Sequence, residues 1–235
     1  MKGMIFAAGL GTRLSPITQK IPKALVQING KPLLQIVIEK FLSAGIDEII
    51  INVHHFAGQI KEFLRSQNNF GVKITISDET NELLETGGGL KKVSSAFQIE
   101  EPILIHNVDI ISNINLGKFI NSFDKNKYAA LLAVQNRKSS RKLLFNNEGI
   151  LCGWKNIKTG EIILSRDENE LNELSFSGIQ IIHPRLFQYF PEWKIFSIID
   201  LYLRAAQFLN IIAYEHNNDF VYDVGKIEDL KNLSV

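Results

Sequence analysis

Cysteine is almost missing from this chain: Cys152 is the only one in 235 residues. No intrachain disulfide can form, and the apolar neighbours Leu151 and Trp154 mark a buried, inert thiol. A reducing, cytoplasmic setting is expected. An excess of charge of either sign is missing too, since 26 Lys and Arg face 25 Asp and Glu for a net charge of +1. That balance excludes a global pull toward nucleic acid or a membrane, so any anion site has to be local. The basic segment Arg137 to Lys142 carries no interleaved aromatics and reads as a solvated loop, not a nucleic-acid platform. Long hydrophobic runs are absent, and no window approaches the roughly 18 apolar residues of a membrane span. The short run behind Lys2 is followed at once by Arg13, Lys20 and Lys23, which is unlike a signal peptide. Zinc-like clusters are lacking as well: His54, His55, His106 and His183 have no partner at ligand spacing and read as turn or cleft residues.

What remains is a composition of 45% hydrophobic and 22% charged residues, ordinary for a globular protein with a substantial core. Apolar runs and helical patterns alternate: a strand at Met4 to Ala8, a helix from Leu34 to Ala44-Gly45, a strand at Ile49 to Val53, and a helix around Ile60 to Leu64. Strands at Val72 to Ile76 and Ile103 to Ile105 and helices at Gly87 to Phe97 and Leu116 to Phe123 continue the series. The alternation predicts an α/β, Rossmann-like, doubly wound and mostly parallel sheet with helices on both faces. Tyr128 to Val134, Leu143 to Phe145, Ile162 to Leu164 and Phe176 to Ile182 read instead as a small mixed β extension. A helix over Phe196 to Leu209 and a closing segment at Lys226 to Leu233 follow. One domain spanning 1–235 is expected, with 1–135 and 136–235 as the two sides of a cleft.

The first strand breaks into Gly9-Leu10-Gly11-Thr12-Arg13 and soon reaches Pro22-Lys23. Two glycines alone would make only a tight turn. Here two cations accompany them, at the carboxyl end of a strand, where open α/β sheets bind ligands. The residues after Gly11 lack the Gly-Lys-Ser/Thr of a Walker loop. A dinucleotide fingerprint fails at Leu14 and at Asn52-Val53-His54, where no acidic residue awaits a ribose. Asp109, just past Ile103 to Ile105, and Asp223, before Val224-Gly225, suit a magnesium ion that takes one or two carboxylates plus substrate phosphates. Each aspartate by itself reads equally as a cap. Glu85-Thr86-Gly87-Gly88-Gly89 opens a helix whose free N–H groups suit a phosphate or base edge, or forms a flexible turn. Phe176-Ser177-Gly178 offers a glycine against a flat ligand or a plain bulge.

Taken in order, these segments resemble the motifs of the sugar-1-phosphate nucleotidyltransferases: Gly9 to Arg13 with Pro22-Lys23, Glu85 to Gly89, Asn107-Val108-Asp109, Phe176 to Ile179 with His183-Pro184, and Asp223-Val224-Gly225. Within that family the chain looks most like N-acetylmuramate-1-phosphate uridylyltransferases, with short mannose- or heptose-1-phosphate guanylyltransferases close behind. The resemblance implies in-line attack of a sugar 1-phosphate on the α-phosphorus of a nucleoside triphosphate, with Mg²⁺ as cofactor. UTP with N-acetylmuramate 1-phosphate is the first expectation; GTP with mannose or heptose 1-phosphate, or a silent nucleotide-sugar binding protein, is the alternative.

The resemblance also implies roles. Arg13 would hold pyrophosphate, Lys23 the α-phosphate, and Asp109 and Asp223 the metal. Ala8, Gly9, Gly11, Thr12, Glu85, Thr86 and Gly87 would bind the nucleotide; Asn107, Lys155, Ser177 and Gly178 would bind the sugar. A monomer or small homo-oligomer is expected. Two departures stand out: Val108 sits where the family often has glycine, and Trp154-Lys155-Asn156 stands where many members carry Glu-Lys-Pro.

Overall fold

The computed structural model describes residues 1–225. The closing segment expected at Lys226 to Leu233 lies outside the described residues. The chain runs through β1 (Lys2–Phe6), a short hairpin of β2 (Gln27–Ile28) and β3 (Lys31–Pro32), α1 (Leu33–Ser43), β4 (Glu48–Val53), α2 (Ala57–Ser66), β5 (Lys73–Asp78) and α3 (Glu85–Val93). Next come β6 (Ile103–Asn107), β7 (Ile110–Ser112), α4 (Leu116–Asn121), β8 (Ala130–Gln135), β9 (Arg141–Phe145), β10 (Leu151–Asn156) and β11 (Ile162–Leu164). The described part closes with β12 (Asn172–Ile182), α5 (Ile198–Ala206), β13 (Ile211–Glu215) and β14 (Val221–Asp223).

Ten strands form one sheet whose main path is β11-β10-β9-β12-β6-β1-β4-β5. β6, β1, β4 and β5 are parallel; the inner three read as near-continuous apolar runs because both their faces are covered, while edge strand β5 alternates, with Lys73 and Thr75 exposed and Ile74 and Ile76 half-buried. Ile49, Ile50, Ile51 and Val53 of β4 are all buried. Each contributes about 1.5–3 kcal/mol of apolar burial. α1 turns Leu34, Val37, Ile38 and Phe41 into the core at helical spacing, and Gly45 ends it at φ +78°.

The sheet is less parallel than the alternation predicted. β12 runs antiparallel to β6, β8 and β9, and β10 is antiparallel to both β9 and β11. The mixed extension is thus not a separate layer but a continuation of the same sheet through β12. β14 is the strand end expected at Phe220 to Asp223, whereas β10, β13 and the three-residue β7 went unread. His106, expected in a turn, lies inside β6 and is fully buried.

The chain order matters for the site. From β1 the chain adds β4 and β5 on one side, then returns to place β6 on the other. β1 and β6 therefore flank the topological switch point, where crevices of open sheets receive ligands.

Candidate active site

A cavity of about 820 Å³ opens at that switch point. Its floor is the loop after β1, where Ala8, Gly9, Gly11, Thr12 and Arg13 all face the opening. Gly11 adopts φ +64°, and a Cβ there would stand 2.9 Å from Thr18 Cγ2 and 3.0 Å from Lys23 Cβ. Only glycine lets the loop fold this tightly over Lys23. Gly9 has no such constraint: a Cβ would meet nothing within 4 Å, so its glycine leaves the cavity side open.

Lys23 follows extended Pro22 and is buried, with Nζ 2.5 Å from Asp109 Oδ2. Asp109 sits in the turn between β6 and β7, and its carbonyl accepts from Val224 N at 2.9 Å. That bond, and the pairing of Asp223 with Ile110 on the β14–β7 ribbon, bring Asp223 beside Asp109 from more than a hundred residues away. Burial pushes the Asp223 carboxyl pKa up, and the Asp109 charge adds to the rise; Lys23, Arg13 and Arg137 oppose it. Such a repelling pair of carboxylates fits a divalent cation. Among the described residues no third acidic, His or Cys ligand joins them, which suits an ion whose remaining ligands are substrate oxygens. Val108 has no positive φ and is buried in the core, so this chain needs no glycine before Asp109.

The second wall comes from α3 and α5. Glu85, at φ +59°, and Thr86 line the cavity. Gly87 does not. Its N–H donates to Phe196 O at 2.9 Å, and Gly88 N donates to the same carbonyl at 3.2 Å. A Cβ on Gly87 would press on the Phe196 ring and come 2.8 Å from Ser197 O. The glycine run thus serves to dock the segment before α5, and these N–H groups are not free for a nucleotide as expected. Thr86 Oγ1 accepts from Ile198 N at 2.9 Å, which locks α5 to α3.

The sugar-side expectations fare unevenly. Asn107 lines the cavity, and Gly178, at φ +71°, is the glycine that lets it sit there, since a Cβ would lie 2.9 Å from Asn107 Nδ2. Gly178 and Ser177 are not themselves on the wall. Ser177 is fully buried, with Oγ 2.9 Å from His216 Nε2. Lys155 also leaves the site. Side chains alternate along a strand, so Trp154 faces the cavity and Lys155 the opposite side, where Nζ meets Glu173 at 2.6 Å.

Sequence reasoning missed Asn52 and Arg141. Asn52 is the one polar residue in the apolar run of β4; its Oδ1 accepts from Ala7 N at 2.8 Å, and its Nδ2 donates to Glu79 Oε1 at 2.9 Å. It anchors the start of the loop after β1, and that lone polarity was the available signal. The segment Arg137 to Lys142 is no free loop: Arg137 Nη2 donates to Phe176 O at 3.0 Å, and Arg141 opens β9 and lines the cavity. Cys152 is buried as expected, and burial pushes its thiol pKa up.

The nucleotidyl transferase family matches residues 2–142, well over half of the chain and including the loop, the glycine run and Asp109. The chain belongs to the nucleotidyl transferase family. The sugar-1-phosphate nucleotidyltransferase resemblance read from its motifs is thereby borne out. It is 31% identical over 209 residues to the N-acetylmuramate alpha-1-phosphate uridylyltransferase of Caulobacter vibrioides, spanning 86% of this chain and 83% of that one. It is 29% identical over 231 residues to the D-glycero-alpha-D-manno-heptose 1-phosphate guanylyltransferase of Campylobacter jejuni, covering 97% and 96% of the two chains. Among solved structures, HddC from Yersinia pseudotuberculosis complexed with GMP-PN has a TM-score of 0.75 at 23% identity, over 99% of this chain and 97% of that one. UDP-glucose pyrophosphorylase complexed with UDP-glucose has a TM-score of 0.77 at 20% identity, over 100% and 97%. At those identities the likeness is one of fold. No helix among the described residues of this nucleotidyl transferase is long and apolar enough to cross a membrane.

Proposed function

We propose that this nucleotidyl transferase joins a nucleoside triphosphate to a sugar 1-phosphate, releasing pyrophosphate, in a cytoplasmic setting and with Mg²⁺. The observation that carries this reading is the meeting of the Arg13–Lys23 loop with the Asp109–Asp223 pair at one switch point. Phosphoryl-group transfer of this kind needs positioning and charge stabilisation more than covalent chemistry. Arg13 receives the departing pyrophosphate, and Lys23 faces the α-phosphorus. Ala8, Gly9, Gly11, Thr12, Glu85 and Thr86 form the nucleotide side, with Asn107 at the junction with the sugar. Asp109 and Asp223 would hold Mg²⁺, which would supply charge neutralisation on the phosphate oxygens when bound. UTP with N-acetylmuramate 1-phosphate is the first substrate pair, supported by the Caulobacter relative; GTP with a heptose or mannose 1-phosphate is the second, supported by the Campylobacter one.

The test is a pyrophosphate-release panel crossing UTP, GTP, dTTP, CTP and ATP with N-acetylmuramate, mannose and heptose 1-phosphates. The expected result is strongest release with UTP and N-acetylmuramate 1-phosphate, abolished by chelation and by Asp109→Ala. Triphosphate binding without release for any pair would leave a nucleotide-binding protein instead.

A further inference from the structure

The sugar side of the cavity holds a cation that no part of the catalytic reading uses. In the β9–β10–β11 segment of the sheet, Trp154 stands opposite Leu143 on one side and Ile163 on the other, and Arg141 stands opposite Asn156. Directly paired residues share a face, and residues two apart along a strand share it too. Arg141, Trp154, Glu161 and Ile163 therefore form one continuous face, and all four line the cavity. The lysines of the same strands point the other way and are occupied: Lys142 donates to Arg137 O at 2.7 Å and Lys155 to Glu173 at 2.6 Å.

Among the described residues, neither the Arg141 guanidinium nor the Glu161 carboxylate has a hydrogen-bond or ion-pair partner, although both face the same cavity. A guanidinium presents a planar fork of donors matched to phosphate or carboxylate oxygens. Trp154, flanked by Leu143 and Ile163, presents an apolar slab for the C–H face of a ring. Opposite it, α5 contributes apolar Ile199 and Leu203, and its Asp200 is already engaged in the capping box with Ser197. The other two cations of the cavity, Arg13 and Lys23, stand at the loop, and Lys23 is bound to Asp109.

Building on the transferase reading, we propose that Arg141 is the sugar-side anion receptor of this site. It holds an oxyanion of the sugar substrate, Trp154 packs on the ring, and Glu161 accepts from its hydroxyls. The oxyanion comes either from the 1-phosphate or from a carboxylate carried by the sugar.

The chain has two tryptophans, and Trp193 is exposed and off the cavity wall, so Trp193→Phe leaves Trp154 as sole reporter. In that background, N-acetylglucosamine 1-phosphate and N-acetylmuramate 1-phosphate, which differ by a lactyl carboxylate, are titrated against Trp154 emission and used in pyrophosphate-release kinetics. Arg141→Gln is expected to raise the KM for sugar phosphate about tenfold or more while moving the triphosphate KM less than about twofold, with partial recovery in Arg141→Lys. An equal penalty with both sugars assigns the oxyanion to the phosphate; a penalty confined to N-acetylmuramate 1-phosphate assigns it to the carboxylate. An unchanged sugar KM, or an equal rise for the triphosphate, overturns the proposal. If the unmodified chain releases no pyrophosphate with any triphosphate and sugar 1-phosphate of the panel above, the transferase reading fails by itself, and the emission titration decides on Arg141: sugar-phosphate quenching lost in Arg141→Gln supports it, and its absence or persistence refutes it.

Discussion

Lys23→Met isolates the contact at the centre of the site. Methionine keeps an unbranched chain of similar length, so the packing of Lys23 Cβ under Gly11 survives and the ammonium is lost. Asp109 then loses a partner at 2.5 Å. Breaking a fully buried pair costs 3–5 kcal/mol, but the Asp109 side chain is 25% exposed and water replaces part of the loss, so about 1–2 kcal/mol of stability is expected to go. The catalytic loss is larger. A positioned charge on a reacting phosphate is worth about 3 kcal/mol, so kcat falls by about two orders of magnitude. Lys23 also competes for the oxygens of Asp109, so the Mg²⁺ concentration for half-maximal rate falls in the variant even as kcat drops. Urea unfolding combined with pyrophosphate release over a Mg²⁺ series measures all three. A kcat within tenfold of wild type, or a raised Mg²⁺ requirement, would refute the assignment of Lys23 to the reacting phosphate.

Two further outcomes follow from buried and exposed partners. Lys155→Ala removes an exposed ion pair worth at most about 0.5–1 kcal/mol and, pointing away from the cavity, leaves the sugar-phosphate KM within about twofold; a large KM rise in steady-state kinetics would contradict the strand alternation. His106 is buried in β6, and burial, aided by the Lys40 charge, pushes its pKa down to about 3. The unfolded chain takes up that proton below about pH 6.5 and the folded chain does not, so stability present at neutral pH is lost as pH falls, by about 2 kcal/mol at pH 5. His106→Phe removes this contribution, and urea titrations at pH 7.5 and 5 that show the same pH dependence in both proteins would disprove it.

The parallel half of the fold was legible because β1, β4 and β6 are apolar on both faces and their helices keep a clean period. The motif residues of the loop, Thr86, Asn107 and Asp109 were legible for a related reason: they sit at strand ends or helix starts, whose positions the pattern sets. Gly87, Ser177 and Lys155 were misplaced because a motif gives an order along the chain and not the direction of a side chain. Phe196 covers the Gly87 N–H, His216 holds Ser177, and Lys155 differs from Trp154 only by one step of a two-residue alternation.

By itself, the sequence determined the local chemistry: a glycine loop with two cations, two aspartates in β contexts, and strands too apolar to face water. Such features depend on neighbours along the chain. Tertiary structure alone decided that Asp223 meets Asp109 through a three-residue strand, that the glycine run docks α5, and that Arg141 faces the cavity while Lys155 turns away. Those outcomes rest on pairing register and long-range packing, where a shift of one residue reverses every face.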